Sequence, residues 1–233
     1  MKAFLLAGGL GTRLRPLTDR TPKCLVEVGG RPMLDIWLDA LADAGVDEVL
    51  VNTHHLAGLV EEHVAARSGP PVVHLRHEPE LLGSAGTLLA NRSFVDGEEM
   101  FLALNADTLT DADLRALVAA QLAGGAVATL TVFSAPRPSE CGIVEVSGRR
   151  MVGFVEKPAH PVGDLANAGL YAFSPDVLDE IPEPLPRDIG FDLLPRLVGR
   201  AGVFPLGDAL VLDIGTPAAL DRARDVWRSR TPA

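Results

Sequence analysis

Cysteine is nearly missing from this sequence. Only Cys24 and Cys141 occur in 233 residues, and no Cys-x-x-Cys spacing exists. That excludes a disulfide framework and a thiolate zinc site, and it fits a reducing cytoplasm. Long apolar runs are missing too: no stretch of eighteen apolar residues is present, so no membrane-spanning helix is expected. The apolar start Ala3–Ala7 runs straight into glycines and is too short for a signal-peptide core. An excess of basic charge is also lacking. The formal net charge is −10, and a field of that sign repels nucleic acid and anionic membranes. Internal repeats and low-complexity tracts do not occur.

What is present reads as ordinary globular composition, with 47% hydrophobic and 22% charged residues. A chain of this length buries one substantial α/β core and leaves little room for a second full domain. Apolar strand-like runs alternate with segments of helical spacing. Ala3–Ala7 has the character of a buried parallel strand, and Met33–Ala44 that of a helix behind Pro32. Val49–Val51, Val72–Leu75, Phe101–Leu104 and Ala126–Phe133 read as further strands. Leu56–Ala66, a stretch from about Ala85, and Asp111–Ala123 read as helices. This alternation predicts a Rossmann-like three-layer α/β sandwich on a mostly parallel, mixed sheet. Between about 139 and 173 the pattern changes to short β-rich pieces, expected as an inserted or peripheral antiparallel part forming one wall of a pocket. Pro182–Pro186 reads as a surface connection. Ala209–Leu212 reads as a last strand, and Pro217–Trp227 as a terminal helix.

Residues 1–31 hold six basic side chains (Lys2, Arg13, Arg15, Arg20, Lys23, Arg31) against Asp19 and Glu27. A basic, glycine-rich loop after the first strand lies where open α/β folds receive ligands. Gly8, Gly9 and Gly11 let backbone N–H groups come close to phosphate oxygens. Arg13 adds a forked cation and Lys23 a point charge. The two common glycine-loop motifs are absent. GxxxxGK[ST] does not occur, and GxGxxG breaks at Arg13-Leu14. Asp107 and Asp213 each follow an apolar strand at the same predicted edge. Two carboxylates there suit one Mg²⁺ that takes its other ligands from phosphate and water. Each also has a structural reading, as a turn or helix-capping residue. His54 and His55 are adjacent and point apart, which predicts structural roles. Cys24 reads as a small hydrophobe under the loop, and Trp37 and Trp227 as core residues.

The segment Ala-Gly-Gly-Leu-Gly-Thr-Arg-Leu-Arg-Pro-Leu-Thr, with Thr-Pro-Lys ending at Lys23, resembles the signature of the sugar-1-phosphate nucleotidyltransferases. Later landmarks match in order: Leu82–Gly86, Leu104–Asp107, Gly142–Val144, Phe154–Pro158, Asn167–Tyr171 and Leu212–Gly215. The resemblance covers about residues 1 to 227. It implies one catalytic domain over residues 1–233, with the antiparallel part of about 139–173 binding sugar and no C-terminal β-helix. It implies Arg13, Lys23 and Asp107 as catalytic, and Asp107 and Asp213 as magnesium ligands. Leu6, Ala7, Gly8, Gly9, Gly11, Thr12, Gly83, Ser84, Ala85, Gly86 and Asn105 are implied to bind the nucleotide. Gly142, Glu156, Lys157, Asn167 and Gly169 are implied to bind the sugar phosphate.

The expected activity is transfer of a nucleotidyl group from a nucleoside triphosphate to a sugar 1-phosphate. Gly83–Gly86 and Asn167–Gly169 look closest to guanylyltransferases acting on mannose-type sugars, which puts GTP and mannose 1-phosphate first. A heptose 1-phosphate, or a uridylyl, thymidylyl, adenylyl or cytidylyl transfer, stays open. Two readings of other kinds are a glycosyltransferase and a non-catalytic nucleotide-sugar sensor. The first normally shows Asp-x-Asp, whereas this chain has Asn105-Ala-Asp107. The second predicts loss of Arg13, Lys23, Asp107 or Asp213, and all four are present. A homo-oligomer stays open.

Overall fold

The computed structural model describes residues 1–230, so the last three residues of the expected 1–233 span lie outside the described residues. In chain order the elements are β1 (Lys2–Leu6), β2 (Glu27–Val28), β3 (Arg31–Pro32), α1 (Met33–Asp43), β4 (Glu48–Thr53), α2 (Ala57–Ala66), β5 (Val72–His77), α3 (Ser84–Ala90), β6 (Phe101–Asn105), β7 (Thr108–Thr110), α4 (Leu114–Gly124), β8 (Ala128–Ser134), β9 (Gly142–Ser147), β10 (Arg150–Glu156), β11 (Leu165–Phe173), β12 (Gly202–Pro205), β13 (Val211–Asp213) and α5 (Pro217–Arg230).

Nine strands form one mixed sheet in the order β5-β4-β1-β6-β11-β8-β12-β10-β9. β5, β4, β1 and β6 are parallel neighbours, as crossovers through α1, α2 and α3 require. β11 runs antiparallel between β6 and β8. The antiparallel β9–β10 hairpin joins the sheet through single pairings of Arg150 with Gly202 and Ile143 with Ala166. Only this hairpin is peripheral. Ala168–Phe173, expected beside it, lies mid-sheet, because its unbroken burial suits a strand covered on both faces.

Strand alternation divides the core. Ala3 and Leu5 pack on one face with residues of α1, α2, α4 and α5. Phe4 packs on the other with α3 and the helical turns between Pro175 and Leu197. Two details depart from the sequence pattern. The helix expected from Asp111 starts at Leu114, because the Asp113 carboxylate caps it by accepting from Ala116 N–H at 3.1 Å. The last strand, β13, pairs with β7 and not with the main sheet. No helix among the described residues is long and apolar enough to cross a membrane.

Candidate active site

The parallel strands end at one edge, where the chain leaves the ladder and its polar groups become available. A cavity of about 420 Å³ opens there. It collects Leu6 at the end of β1 with Ala7, Gly8 and Gly9 after it, Asn52 on β4, Glu78 after β5, Gly83 and Ser84 at α3, and Asn105 at the end of β6 with Ala106 and Asp107 after it. Glu156, Lys157, Asn167 and Tyr171 form another wall, and Asp188 to Phe191 a third.

β13 brings the two aspartates together. Asp213 pairs with Thr108, the residue after Asp107, and Ile214 N–H donates to the Asp107 carbonyl at 3.1 Å. The ammonium of Lys23, only 10% exposed, lies 2.5 Å from Asp107 Oδ2 and 3.9 Å from Asp213 Oδ1. Arg13 Nη2 lies 3.7 Å from Asp213 Oδ2. Two carboxylates and two cations thus share one cluster, in which Lys23 and Asp107 line the cavity while the more exposed Arg13 and Asp213 lie outside its lining. The lysine ammonium spans the carboxylates as a bound cation would, and an all-oxygen pair of this kind suits Mg²⁺. Among the described residues no cluster of three or more His, Cys, Asp or Glu could hold a metal by itself. Magnesium would therefore need phosphate and water as further ligands.

The glycine loop is held from below. Asn52 Oδ1 accepts from Ala7 N–H at 2.7 Å and from Gly8 N–H at 3.2 Å. Its Nδ2 donates to Glu78 Oε1 and to Thr87 Oγ1, and Glu78 Oε2 accepts from Leu82 N–H. Asn52, Glu78 and Thr87 are all buried. The network ties the loop after β1 to the loop before α3. It also corrects one expectation: the Gly8 amide serves Asn52, so it is not a free phosphate donor. The N–H groups of Gly9 and Gly11 have no partner among the described residues. Gly11 and Thr12 lie outside the cavity lining, and Thr18 Oγ1 donates to the Gly11 carbonyl at 2.7 Å.

Gly83 has φ +77, and a Cβ there would strike the backbone of Arg187. The Arg187 carbonyl in turn accepts from Ala85 and Gly86 N–H at 3.0 and 3.1 Å. Close backbone approach at this glycine-rich loop is therefore used by the protein itself, where the expected partner was a nucleoside. Ala85 and Gly86 do not line the cavity, whereas Gly83 and Ser84 do. The Ser84 hydroxyl donates to Asp188 Oδ2 at 2.8 Å and accepts from Ile189 N–H at 2.8 Å.

Lys157 has φ +48, an unusual left-handed geometry for a side-chain-bearing residue. It interrupts strand alternation, so Glu156 and Lys157 both face the cavity, with Nζ 3.7 Å from Glu156 Oε1. The Glu156 carboxylate fills the space that side chains at Gly142 and Gly190 would need. Burial pushes its pKa up, Lys157 opposes that shift, and the nearby Asp188 charge adds to it. Asn167 donates to the Tyr171 hydroxyl at 2.7 Å and accepts from Gly169 N–H at 3.0 Å. Burial also raises the Tyr171 phenol. Gly169 lies against Asn105, outside the cavity lining.

Sequence reasoning missed Asn52, Glu78, Tyr171 and Asp188–Phe191. Only Pro182–Pro186, read as a connection, hinted that a fixed segment followed. His54 Nδ1 pairs with the Glu78 carbonyl and His55 Nε2 with the Thr18 carbonyl, both structural contacts. Cys24 is buried, which pushes its thiol up to about 12.

A mixed α/β sheet with a cluster of cations and carboxylates beside a cavity at its strand ends defines an α/β protein with a charged strand-end cleft. The model of the family described as nucleotidyl transferase matches residues 2–228, and the chain belongs to that family. It is 36% identical over 221 residues to the mannose-1-phosphate guanylyltransferase catalytic subunit beta of Drosophila melanogaster, covering 93% of this chain and 60% of that protein. It is 34% identical over 244 residues to mannose-1-phosphate guanylyltransferase 1 of Arabidopsis thaliana, covering 100% and 67%. The chain thus spans about three fifths of the length of the first of these relatives. Among solved structures, a Bacillus anthracis protein in complex with sucrose superposes with TM-score 0.87 at 24% identity, covering 100% of this chain and 97% of that one. HddC from Yersinia pseudotuberculosis gives TM-score 0.81 at 23% identity, covering 97% and 99%. At these identities the likeness carries the fold.

Proposed function

We propose that the cavity transfers a nucleotidyl group from a nucleoside triphosphate to a sugar 1-phosphate, with GTP and mannose 1-phosphate as the lead pair. The observation that carries this reading is the clustering of Arg13, Lys23, Asp107 and Asp213, of which Lys23 and Asp107 line a cavity that Glu156 and Lys157 also line. The guanylyltransferase names of the curated relatives favour the lead pair.

An oxygen of the acceptor phosphate attacks the α-phosphorus in line. The new P–O bond joins sugar phosphate to nucleotide, and the bond to the β-phosphate oxygen breaks. That oxygen takes the electron pair and leaves with pyrophosphate. The acceptor phosphate, with a second pKa of about 6, is largely dianionic near neutrality, so no general base is needed. Catalysis is then positioning and charge neutralisation. Lys157 draws in the acceptor phosphate, and Glu156 and Asn167 receive sugar hydroxyls. Arg13, Lys23 and the Gly9 and Gly11 amides take the developing charge on pyrophosphate. Asp107 and Asp213 would hold Mg²⁺, which when bound neutralises phosphate charge and orients the α-phosphate.

The test is pyrophosphate release from a panel of five nucleoside triphosphates against hexose and heptose 1-phosphates, with and without magnesium. GTP with mannose 1-phosphate and magnesium should turn over fastest. Silence across the whole panel overturns the reading, and a faster pair reassigns the substrates.

A further inference from the structure

Phe191 is 59% exposed, yet its backbone is firmly held. Asp188 Oδ1 accepts from Gly190 N–H at 2.8 Å and from Phe191 N–H at 3.2 Å, while Asp188 N–H donates to Asp192 Oδ2 at 2.7 Å. Asp192 is itself paired with Arg187 at 3.3 Å. The segment Ile189–Leu193 is a π-helical turn, a rare geometry often found at functional sites. It presents the ring on the cavity wall, and Lys157 Nζ lies 5.8 Å from the ring centroid. The neighbouring Gly190 abuts the Glu156 carboxylate. Leaving a large apolar ring in water does nothing for folding, since hydrophobic gain scales with area removed from water. Fastening it beside a cation and a carboxylate makes a surface with one flat apolar face and two polar groups. Binding sites for small polar molecules have that composition, and a pyranose phosphate offers its complement: a C–H face, hydroxyls and an anion.

We propose that Phe191 is a specificity-determining residue for the acceptor. Its ring packs against the C–H face of a pyranose whose 1-phosphate is held by Lys157 and whose hydroxyls reach Glu156. The proposal rests on the reading of this end of the cavity as the sugar-phosphate site. The competing role for the ring is to shield the Lys157 stem, which any apolar side chain of similar bulk would do.

Steady-state kinetics on the wild type, Phe191→Ala, Phe191→Leu and Phe191→Trp separate these, with melting temperatures as the fold control. Alanine and leucine should raise the sugar-phosphate KM about three- to tenfold, the scale of a lost aromatic contact, with the triphosphate KM held within about twofold. Tryptophan should keep the sugar-phosphate KM near wild type. An unmoved sugar-phosphate KM in the alanine variant, wild-type behaviour of the leucine variant, or an equal rise in the triphosphate KM overturns the platform. A wild-type protein without turnover overturns the underlying reading, and the proposal with it. An active wild type with an unmoved acceptor KM overturns the platform alone.

Discussion

Lys23 Nζ lies 2.5 Å from Asp107 Oδ2 although the two residues belong to different loops after different strands. The contact matches a cation to the carboxylate proposed to hold magnesium, so one substitution reports on both.

Asp107→Ala should lower turnover by about 10²–10³-fold, the scale of losing a main charge-stabilising group. Asp107 is 39% exposed, but its partner Lys23 is only 10% exposed and keeps only Asp213 at 3.9 Å, so the melting temperature should fall somewhat while the protein stays folded. Pyrophosphate release and thermal melting measure the two effects. Undiminished turnover would remove the metal assignment.

Lys157 combines a charge with a left-handed backbone. Lys157→Met keeps the strain and loses the charge, so the sugar-phosphate KM should rise with no gain in stability. Lys157→Gly loses both, so the KM should rise while the protein melts no lower than wild type, because glycine accepts φ +48 freely. A glycine variant that melts well below the methionine variant contradicts the backbone account.

Glu156 gives a pH-dependent prediction. Burial raises its native pKa above that of a free glutamate, so the native state binds more protons than the unfolded chain between those two values. Its contribution to stability therefore falls as pH rises through that window. Glu156→Gln should melt higher than wild type at neutral and alkaline pH. The gap should close as pH drops towards the free-glutamate range. The same variant should use the sugar phosphate poorly. Equal melting temperatures at all pH values would refute the burial argument.

Asn52→Leu keeps the bulk of the side chain but strands the Ala7 and Gly8 N–H groups and removes a donor from Glu78. Buried groups left unpaired cost about 1–3 kcal/mol each, so urea unfolding should show a loss of about 2–4 kcal/mol. The triphosphate KM should rise more than the sugar-phosphate KM, because Asn52 holds the loop after β1. A shift of both KM values by the same factor would mark the residue as a general support only.

Much of the fold was legible because its signals are local. The apolar runs of β1, β4 and β6 and the helical spacing of α1 depend on residues a few positions apart. Where partners are distant, the pattern was silent. β12 was not recognised, being four residues long with Pro205 at its end, and it exists because it lies parallel beside β8. β13 was recognised as a strand but not placed, since nothing in Val211–Asp213 names β7 as its partner.

The candidate site divides in the same way. Arg13, Lys23, Asp107 and Asp213 stood out because ionisable groups placed just after apolar runs are visible in one dimension, whereas Glu156 and Lys157 were singled out by the family resemblance. The sequence by itself determined the alternation of elements, the basic glycine loop and the carboxylates at strand ends. Only the tertiary structure decided that Asn52 occupies the Gly8 amide, that Arg187 fills the space beside Gly83, and that Phe191 faces the cavity. Each is a contact between segments far apart in the chain. Hydrogen-bond partners and steric fit across such distances follow from how the sheet is assembled, and no periodicity records them.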